Sequence, residues 1–372
     1  MIRDLARDFA RNEIVPRAEY HDQHKEFPYD IVAKMAELGF LGLPVPEEYG
    51  GAGADTLSYA IAVEEITRGD ASVGITMAAH TSLGTMPFLM FGTEEQKERY
   101  VPPLATGEQL WAFGLTEPNA GSDAGATRTR AVLKDGQWVI NGVKSFITNS
   151  GTRISGGVTI TAVTGIRADG KNEISNLIVP TGTPGYSISK DYNKMGWRAS
   201  DTHELAFNDA TVPECGVLGP RGEGFHQFLQ VLDGGRISIA ALSVGLAQAA
   251  YDASFKYAKE RVQFGQEIGT FQAVQFKLAD MATEIEMARL MTYKAAWLKD
   301  QGRDFRMAAG MAKLFAGETA TRACNHAVQI HGGYGIMEEF PVARYWRDVK
   351  IGEIGEGTSE IQRTVIARLL GL

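Results

Sequence analysis

A mainly helical protein with a β-rich middle is the fold class this chain predicts, and three observations predict it. Helix-spaced apolar residues run from residue 1 to about 110. β-Branched runs punctuated by turn dipeptides follow to about 215, and helical periodicity returns from Gly224 to the end. Helices, then strands, then helices is not the alternation that builds a doubly wound sheet. A chain of 372 residues is too long for one ordinary core and suits two or three domains, or one intimate multilayer fold. The boundaries read as 1–111, 112–222 and 223–372.

In the first zone Leu5, Phe9, Ile14, Ile31, Met35 and Leu38 recur at helix-like spacing, and Pro28 marks a helix start. Leu43-Pro44-Val45-Pro46 breaks regular structure and Gly50-Gly51-Ala52-Gly53 extends the loop. Helices resume through Ala60, Val63, Glu64 and Ile66, then through Leu83, Met86 and Leu89. In the second zone Asp135-Gly136 precedes Trp138-Val139-Ile140, and Asn141-Gly142 precedes Val143 to Thr148. Both dipeptides supply the positive φ of tight hairpins, so antiparallel connections are expected. Val158–Val163, Leu177–Val179 and Leu205–Phe207 read as further strands. In the third zone Ile239, Leu242, Leu246 and Ala249 share one helix face, and Val274, Leu278, Met281 and Ile285 another. Such stripes imply a helix bundle.

Composition narrows the function. Apolar residues make up 44% and charged residues 22%, as in a globular protein. No run of about 18 apolar residues stands out, so no membrane span is expected. The start, Met1-Ile2-Arg3-Asp4, lacks the apolar core of a secretory signal. A net charge of −8 opposes nucleic-acid and anionic-membrane partners, although a local basic pocket is compatible with it. Cys215 and Cys324 form no CxxC; both read as packing residues of a cytoplasmic protein. His21 and His24 sit in a polar, solvated stretch, no HExxH occurs, and no metal is expected.

Glycine-rich segments carry the remaining signal. No complete GxGxxG exists, so a Rossmann nucleotide site is unsupported. Thr116-Glu117-Pro118-Asn119-Ala120-Gly121-Ser122-Asp123 reads as a surface turn, or as a loop whose amides and hydroxyls bind a ring edge or a phosphate. Phe146 and Thr148, two apart on a strand, share one face that either packs in a core or seats a planar ring. Gln329-Ile330-His331-Gly332-Gly333-Tyr334-Gly335 reads as a helix cap or as backbone approaching a phosphate, and Arg261 as solvated or as a diphosphate partner. Glu353, Glu356 and Glu360 read as a charged helix face, but Gly352, Gly355 and Gly357 argue against a continuous helix. Glu356, between two glycines, is free to reach into a cleft as a catalytic carboxylate.

Together and in this order the pieces resemble the acyl-CoA dehydrogenase family, in particular its short- and medium-chain branch, over nearly the whole chain. The matching segments are TEPNAGSD, FITN, Leu232-Asp233-Gly234-Gly235-Arg236, RVQFG, the FQ pair, QIHGGYG and EGTSEIQR. The resemblance implies an N-terminal helical domain, a middle β-barrel-like domain and a C-terminal four-helix bundle. It implies FAD, and a homotetramer (a dimer of dimers) with the cofactor near a subunit interface. Phe113, Leu115, Thr116, Gly121 and Ser122 should meet the flavin region, and Phe146, Ile147 and Thr148 the isoalloxazine. Arg261, Phe264, Gln272, Gln329, Ile330, Gly332 and Gly333 should serve the diphosphate and adenine half, of a neighbouring subunit's FAD. Thr358, Ser359 and Glu360 should lie near FAD; Ser122, Asp233, Arg236 and Gly357 should contact acyl-CoA.

The chemistry this implies is removal of an α-proton by Glu356 and hydride transfer from the β-carbon to flavin N5. Electrons then pass to electron-transfer flavoprotein. Where some relatives carry the base on the substrate helix, this chain has Gly235. Gly355 stands where many relatives have tyrosine, and Ala79-His80-Thr81-Ser82-Leu83 resembles branched-chain relatives, so branched acyl groups enter the substrate range. The chain begins late for the family, which implies a short preceding segment. A cytoplasmic location is expected, or the mitochondrial matrix after transit-peptide removal. An acyl-CoA oxidase using oxygen and a non-catalytic binding protein on the same fold are the competing readings.

Overall fold

The computed structural model describes residues 1–372. Helix α1 (Ile2–Phe9) continues through a π-turn at Ala10–Ile14 into α2 (Val15–His24), which stops at left-handed Lys25. Helix α3 (Tyr29–Glu37) starts after Pro28. Asp55 caps α4 (Thr56–Gly69) by accepting from the Ser58 amide, and Asp70 caps α5 (Ala71–Ala79) in the same way. A second π-turn, His80–Thr85, leads into α6 (Met86–Phe91). A Thr93–Gln96 capping box opens α7 (Glu94–Ala105).

The middle of the chain forms one eight-stranded sheet. Its strands are β1 (Leu110–Gly114), β2 (Arg130–Lys134), β3 (Gln137–Thr148), β4 (Ser155–Ile166), β5 (Asn172–Pro180), β6 (Tyr186–Ile188), β7 (Thr202–Pro213) and β8 (Val217–Leu218). The order is β6-β7-β3-β2-β4-β5-β8, with β1 against β4. The expected antiparallel pairing holds for β2–β3, β3–β7, β4–β5, β5–β8 and β6–β7, with two exceptions. Both β1 and β2 pair with β4 in parallel, because a long loop and the β2–β3 hairpin lie between them and let the chain return in its original direction. Asp135 and Gly136 turn that hairpin with φ of 50° and 75°. Asn141-Gly142 does not turn. It is a bulge inside β3, where Gly142 has φ 153° and a Cβ would fall 2.7 Å from the Thr129 Cα.

Helix α8 (Gly224–Glu260) opens the C-terminal part, followed by a small hairpin of β9 (Val262–Gln263) and β10 (Gln266–Glu267). Helices α9 (Gln272–Asp300) and α10 (Arg306–His331) pack on it; α11 (Pro341–Val349), α12 (Ile351–Ile354) and α13 (Ser359–Leu369) complete the chain. The predicted seam of Ile239, Leu242, Leu246 and Ala249 is buried. The helices before and after the sheet share one core, in which Met35, Val63 and Ile66 join Leu242, Leu246 and Ala316. The sheet has its own interior around Trp138, Ile140, Leu177 and Phe207. By length and composition α8 could cross a membrane, yet 72% of its most apolar window is buried inside the protein.

Two smaller expectations change. His21 is buried, because the chain turns back at Lys25 and brings the Glu26 carbonyl onto its Nδ1; only His24 is exposed. Cys324 packs inside α10 as expected, but Cys215 is exposed on the turn Glu214–Gly216.

Candidate active site

Glycines on both sides decide the conformation at Glu356. Helix α12 ends at Ile354, Glu356 takes a left-handed φ of 52°, Gly357 follows at 97°, and the Thr358 hydroxyl caps α13. A left-handed glutamate costs on the order of 1–3 kcal/mol, so its surroundings must hold it. The turn aims the carboxylate at α8, where Gly235 leaves room: a Cβ there would lie 2.1 Å from Glu356 Oε2. Both carboxylate oxygens are shielded from solvent and accept no hydrogen bond within the chain. Burial pushes this carboxyl up to about 7, against the pull of Lys313 and Arg236. A sequestered carboxylate without partners, titrating near neutrality, has the properties of a general base.

Around it α8 presents Asp233 and Arg236, paired at 2.6 Å. On the inner side the Ser238 hydroxyl donates to the Gly235 carbonyl at 2.8 Å and lies 3.4 Å from Ser82 Oγ. Tyr59 on α4 donates to the Ala78 carbonyl, and burial, with Glu356 adding to it, raises its phenol. Tyr59, Ser238 and Lys313 were not singled out from sequence. Hydroxyls on buried helix faces are ordinary, but Lys313 had a signal: it interrupts the small apolar face of Ala309, Ala312, Ala316 and Ala320.

The loop after β1 is pinned from below. Fully buried Lys144 donates to the Leu115 carbonyl, Glu117 Oε1 and Thr161 Oγ1 at 3.1, 2.8 and 3.1 Å. Glu117 also accepts from the Arg128 and Thr129 amides. Burial alone would raise Glu117, but Lys144 and these donors hold it at about 2. Gly121 and Ser122 remain exposed above the staple. Thr116 accepts from the Ser145 amide at 2.8 Å, which joins the loop to the end of β3. There a bulge gives Phe146 a φ of 61° and turns its ring outward, 65% exposed, while Ile147 is buried. Core packing of Phe146 is thus excluded. Phe113 packs on Phe228 of α8, and Gly125 faces Phe225. From Phe225 to Gly235 is about 15 Å along the helix, so α8 links the loop to Glu356.

The remaining predicted residues gather elsewhere. Arg261, Ile330, Gly332 and Gly333, with Tyr257 and Tyr334, line a cleft of about 490 Å³ that includes neither Glu356 nor Phe146. Nothing lies within 4 Å of where a Cβ would stand on Gly332 or Gly333, so backbone is open to a ligand. Phe264 is 95% exposed at the left-handed β9–β10 turn; Gln272 and Gln329 are exposed outside the cleft. Thr358 is engaged as a cap, Ser359 is buried and Glu360 is exposed in the first turn of α13. A flavin dinucleotide needs an apolar face for its ring, open backbone and a cation for its diphosphate. Phe146, the paired glycines and Arg261 fit those needs, in two separate places. A further cavity, of about 360 Å³, is lined by Arg7, Glu64, Glu65 and Arg289, whose charges satisfy one another.

The chain is similar to known proteins along its whole length. Models of the acyl-CoA dehydrogenase N-terminal, middle and C-terminal domains match residues 1–108, 112–210 and 222–371. A probable acyl-CoA dehydrogenase of Bacillus subtilis, YngJ, is 59% identical over 370 residues, covering 100% of this chain and 97% of that protein. The solved butyryl-CoA dehydrogenase of Megasphaera elsdenii superposes with a TM-score of 0.96 at 43% identity, covering 100% of this chain and 97% of that one. A chain in the structure of the electron-transferring flavoprotein of Acidaminococcus fermentans does so with a TM-score of 0.96 at 46% identity and the same coverage.

Proposed function

Since this chain belongs to the acyl-CoA dehydrogenase family and is an oxidoreductase acting on acyl-CoA, we propose that it converts a short, medium or branched acyl-CoA to the trans-2-enoyl thioester with Glu356 as the base. FAD, which the family binds, supplies the hydride acceptor. Glu356 takes the α-proton. Its oxygens have no competing donor, and a carboxyl at about 7 is both partly ionised and basic at neutral pH. The Glu356 amide forms no hydrogen bond within the chain and is available to the thioester oxygen, where negative charge develops. Asp233 and Arg236 bracket Gly235 and hold acyl-CoA beside the base, with Ser122 and Gly357 as further contacts. Leu115, Thr116 and Ser122 on the stapled loop, with Phe146, Ile147 and Thr148, hold the flavin. The Arg261–Gly333 cleft takes the adenine half of a neighbouring subunit's FAD, a reading supported by its separation from Glu356 and by exposed Phe264. That arrangement needs at least two subunits, which a homotetramer built as a dimer of dimers supplies, and an electron-transferring flavoprotein is the acceptor.

The orphaned carboxylate of Glu356 against Gly235 is the observation that carries this reading. The test is an anaerobic titration of the flavoprotein with straight and branched acyl-CoAs, read by flavin absorbance. Bleaching is expected with one subset. Glu356→Gln should retain FAD and acyl-CoA yet reduce flavin about 10²–10⁴-fold more slowly; near-normal reduction would sink the assignment.

A further inference from the structure

The Glu356 turn is held by two side chains that touch neither of its carboxylate oxygens. Lys313, from the N-terminal third of α10, is buried, and its Nζ donates to the Gly357 carbonyl at 2.5 Å. Gln362, from the first turns of α13 and fully buried, donates through Nε2 to the same carbonyl at 3.1 Å and to the Glu356 carbonyl at 3.4 Å. Two donors from different helices therefore converge on two successive carbonyls of a strained left-handed turn. Gly357 is part of this fit, since a Cβ on it would lie 2.8 Å from Gln362 Nε2.

We propose that Lys313 and Gln362 are positioning residues for the base: together they clamp the carbonyls of Glu356 and Gly357, and Lys313 adds a buried cation beside the carboxylate without pairing to it. The proposal rests on Glu356 being the base. An ion pair to Glu356 would occupy the lone pairs that must accept the proton, whereas a lysine anchored to the next carbonyl stabilises the ionised form and leaves those lone pairs open. Lys313 is one of several charged or titratable groups around the carboxylate. Arg236 on α8 is compensated by Asp233 at 2.6 Å. Tyr59 on α4 is kept neutral by burial. Glu353 on α12 pairs with Lys350, and Glu360 on α13 is exposed. Lys313 is therefore the cation whose removal changes the field at Glu356 most. The direction agrees: Lys313 is the first opponent of burial at Glu356, and burial in turn lowers Lys313 to about 8.

The experiment follows flavin reduction by a saturating acyl-CoA in single turnovers of the holoenzyme across pH, for wild type, Lys313→Met, Lys313→Arg, Gln362→Leu and Glu356→Gln. Lys313→Met should move the midpoint upward by about one unit or more, so that the rate falls at neutral pH and recovers in alkali. Lys313→Arg should keep the wild-type midpoint. Gln362→Leu should slow reduction about tenfold or more with the midpoint unmoved, because it loosens the turn without altering charge. A Lys313→Met midpoint equal to that of wild type overturns the proposal. If Lys313→Met gives no holoenzyme, Gln362→Leu decides: a rate within about twofold of wild type overturns the clamp. Glu356→Gln separates the two layers. Activity in that variant refutes the base itself, whereas its inactivity beside an unshifted Lys313→Met refutes only the positioning role of Lys313 and leaves the base standing.

Discussion

At the scale of single residues, the glycines beside Glu356 allow the backbone that a displaced carboxylate needs, but they left its role open and only the family resemblance singled it out as the base. Gly235 was legible only as the position where some relatives carry a base. Its physical role is to leave space, since any side chain there meets the carboxylate. Gly235→Ala should therefore move the base rather than the backbone, because the atom it strikes ends a flexible side chain. Flavin reduction is expected to fall about 10²-fold with little change in melting temperature, measured by stopped flow and calorimetry. Lys313 was visible as a cation on an alanine face, yet its partner is a carbonyl in the turn between α12 and α13, and a backbone atom leaves no mark in a residue pattern.

At the scale of elements, the TEPNAGSD loop and the FITN strand end were each recognisable, but what unites them was not. Lys144 lies on β3 and reads as an ordinary strand lysine until the fold places it under Leu115 and Glu117. Removing one member of a buried ion pair strands the other, which typically costs about 3–5 kcal/mol. Lys144→Met should lower stability by that order in urea unfolding and, if this loop holds the flavin as proposed, weaken FAD retention, because both ends of the loop lose their anchor. Unchanged FAD affinity in a folded Lys144→Met protein would show that the staple is not what shapes the loop. The Asn141-Gly142 pair illustrates the opposite failure. It carries a strong hairpin signal, but continuous pairing of β3 with β7 overrides it, and the glycine serves close approach to Thr129 instead.

At the scale of the whole molecule, one polar junction ties the three parts of the chain together. Arg347 of α11 pairs with Asp22 of α2 and donates to the Met195 carbonyl, while Asp348 accepts from the Trp197 amide at 2.7 Å. Burial, with Asp70 nearby, pushes Asp348 up to about 7. Its folded value lies above the ordinary carboxylate range, so its contribution to stability is full at acid pH and is lost as pH rises through about 7. Asp348→Asn keeps an acceptor for Trp197 and removes the charge. It should flatten the fall in melting temperature between about pH 4 and 7, with a gain at neutral and alkaline pH of about 1–2 °C for each kcal/mol relieved. A thermal melt series in both proteins checks this, and parallel curves would show that Asp348 does not titrate there.

By itself the sequence determined the succession of helices, sheet and helices, the seam of α8 and the family, and through the family it pointed to a candidate base. These follow from periodicity and from ordered local motifs, which need no knowledge of distant neighbours. Only the tertiary structure decided the parallel pairing of β1 with β4, the common core of the first and last helices, the outward turn of Phe146 and the clamp on Glu356. Each of these depends on contacts between residues far apart in the chain. Burial, which shifts the Glu356 carboxyl toward neutrality, is a property of the assembled surroundings rather than of any segment.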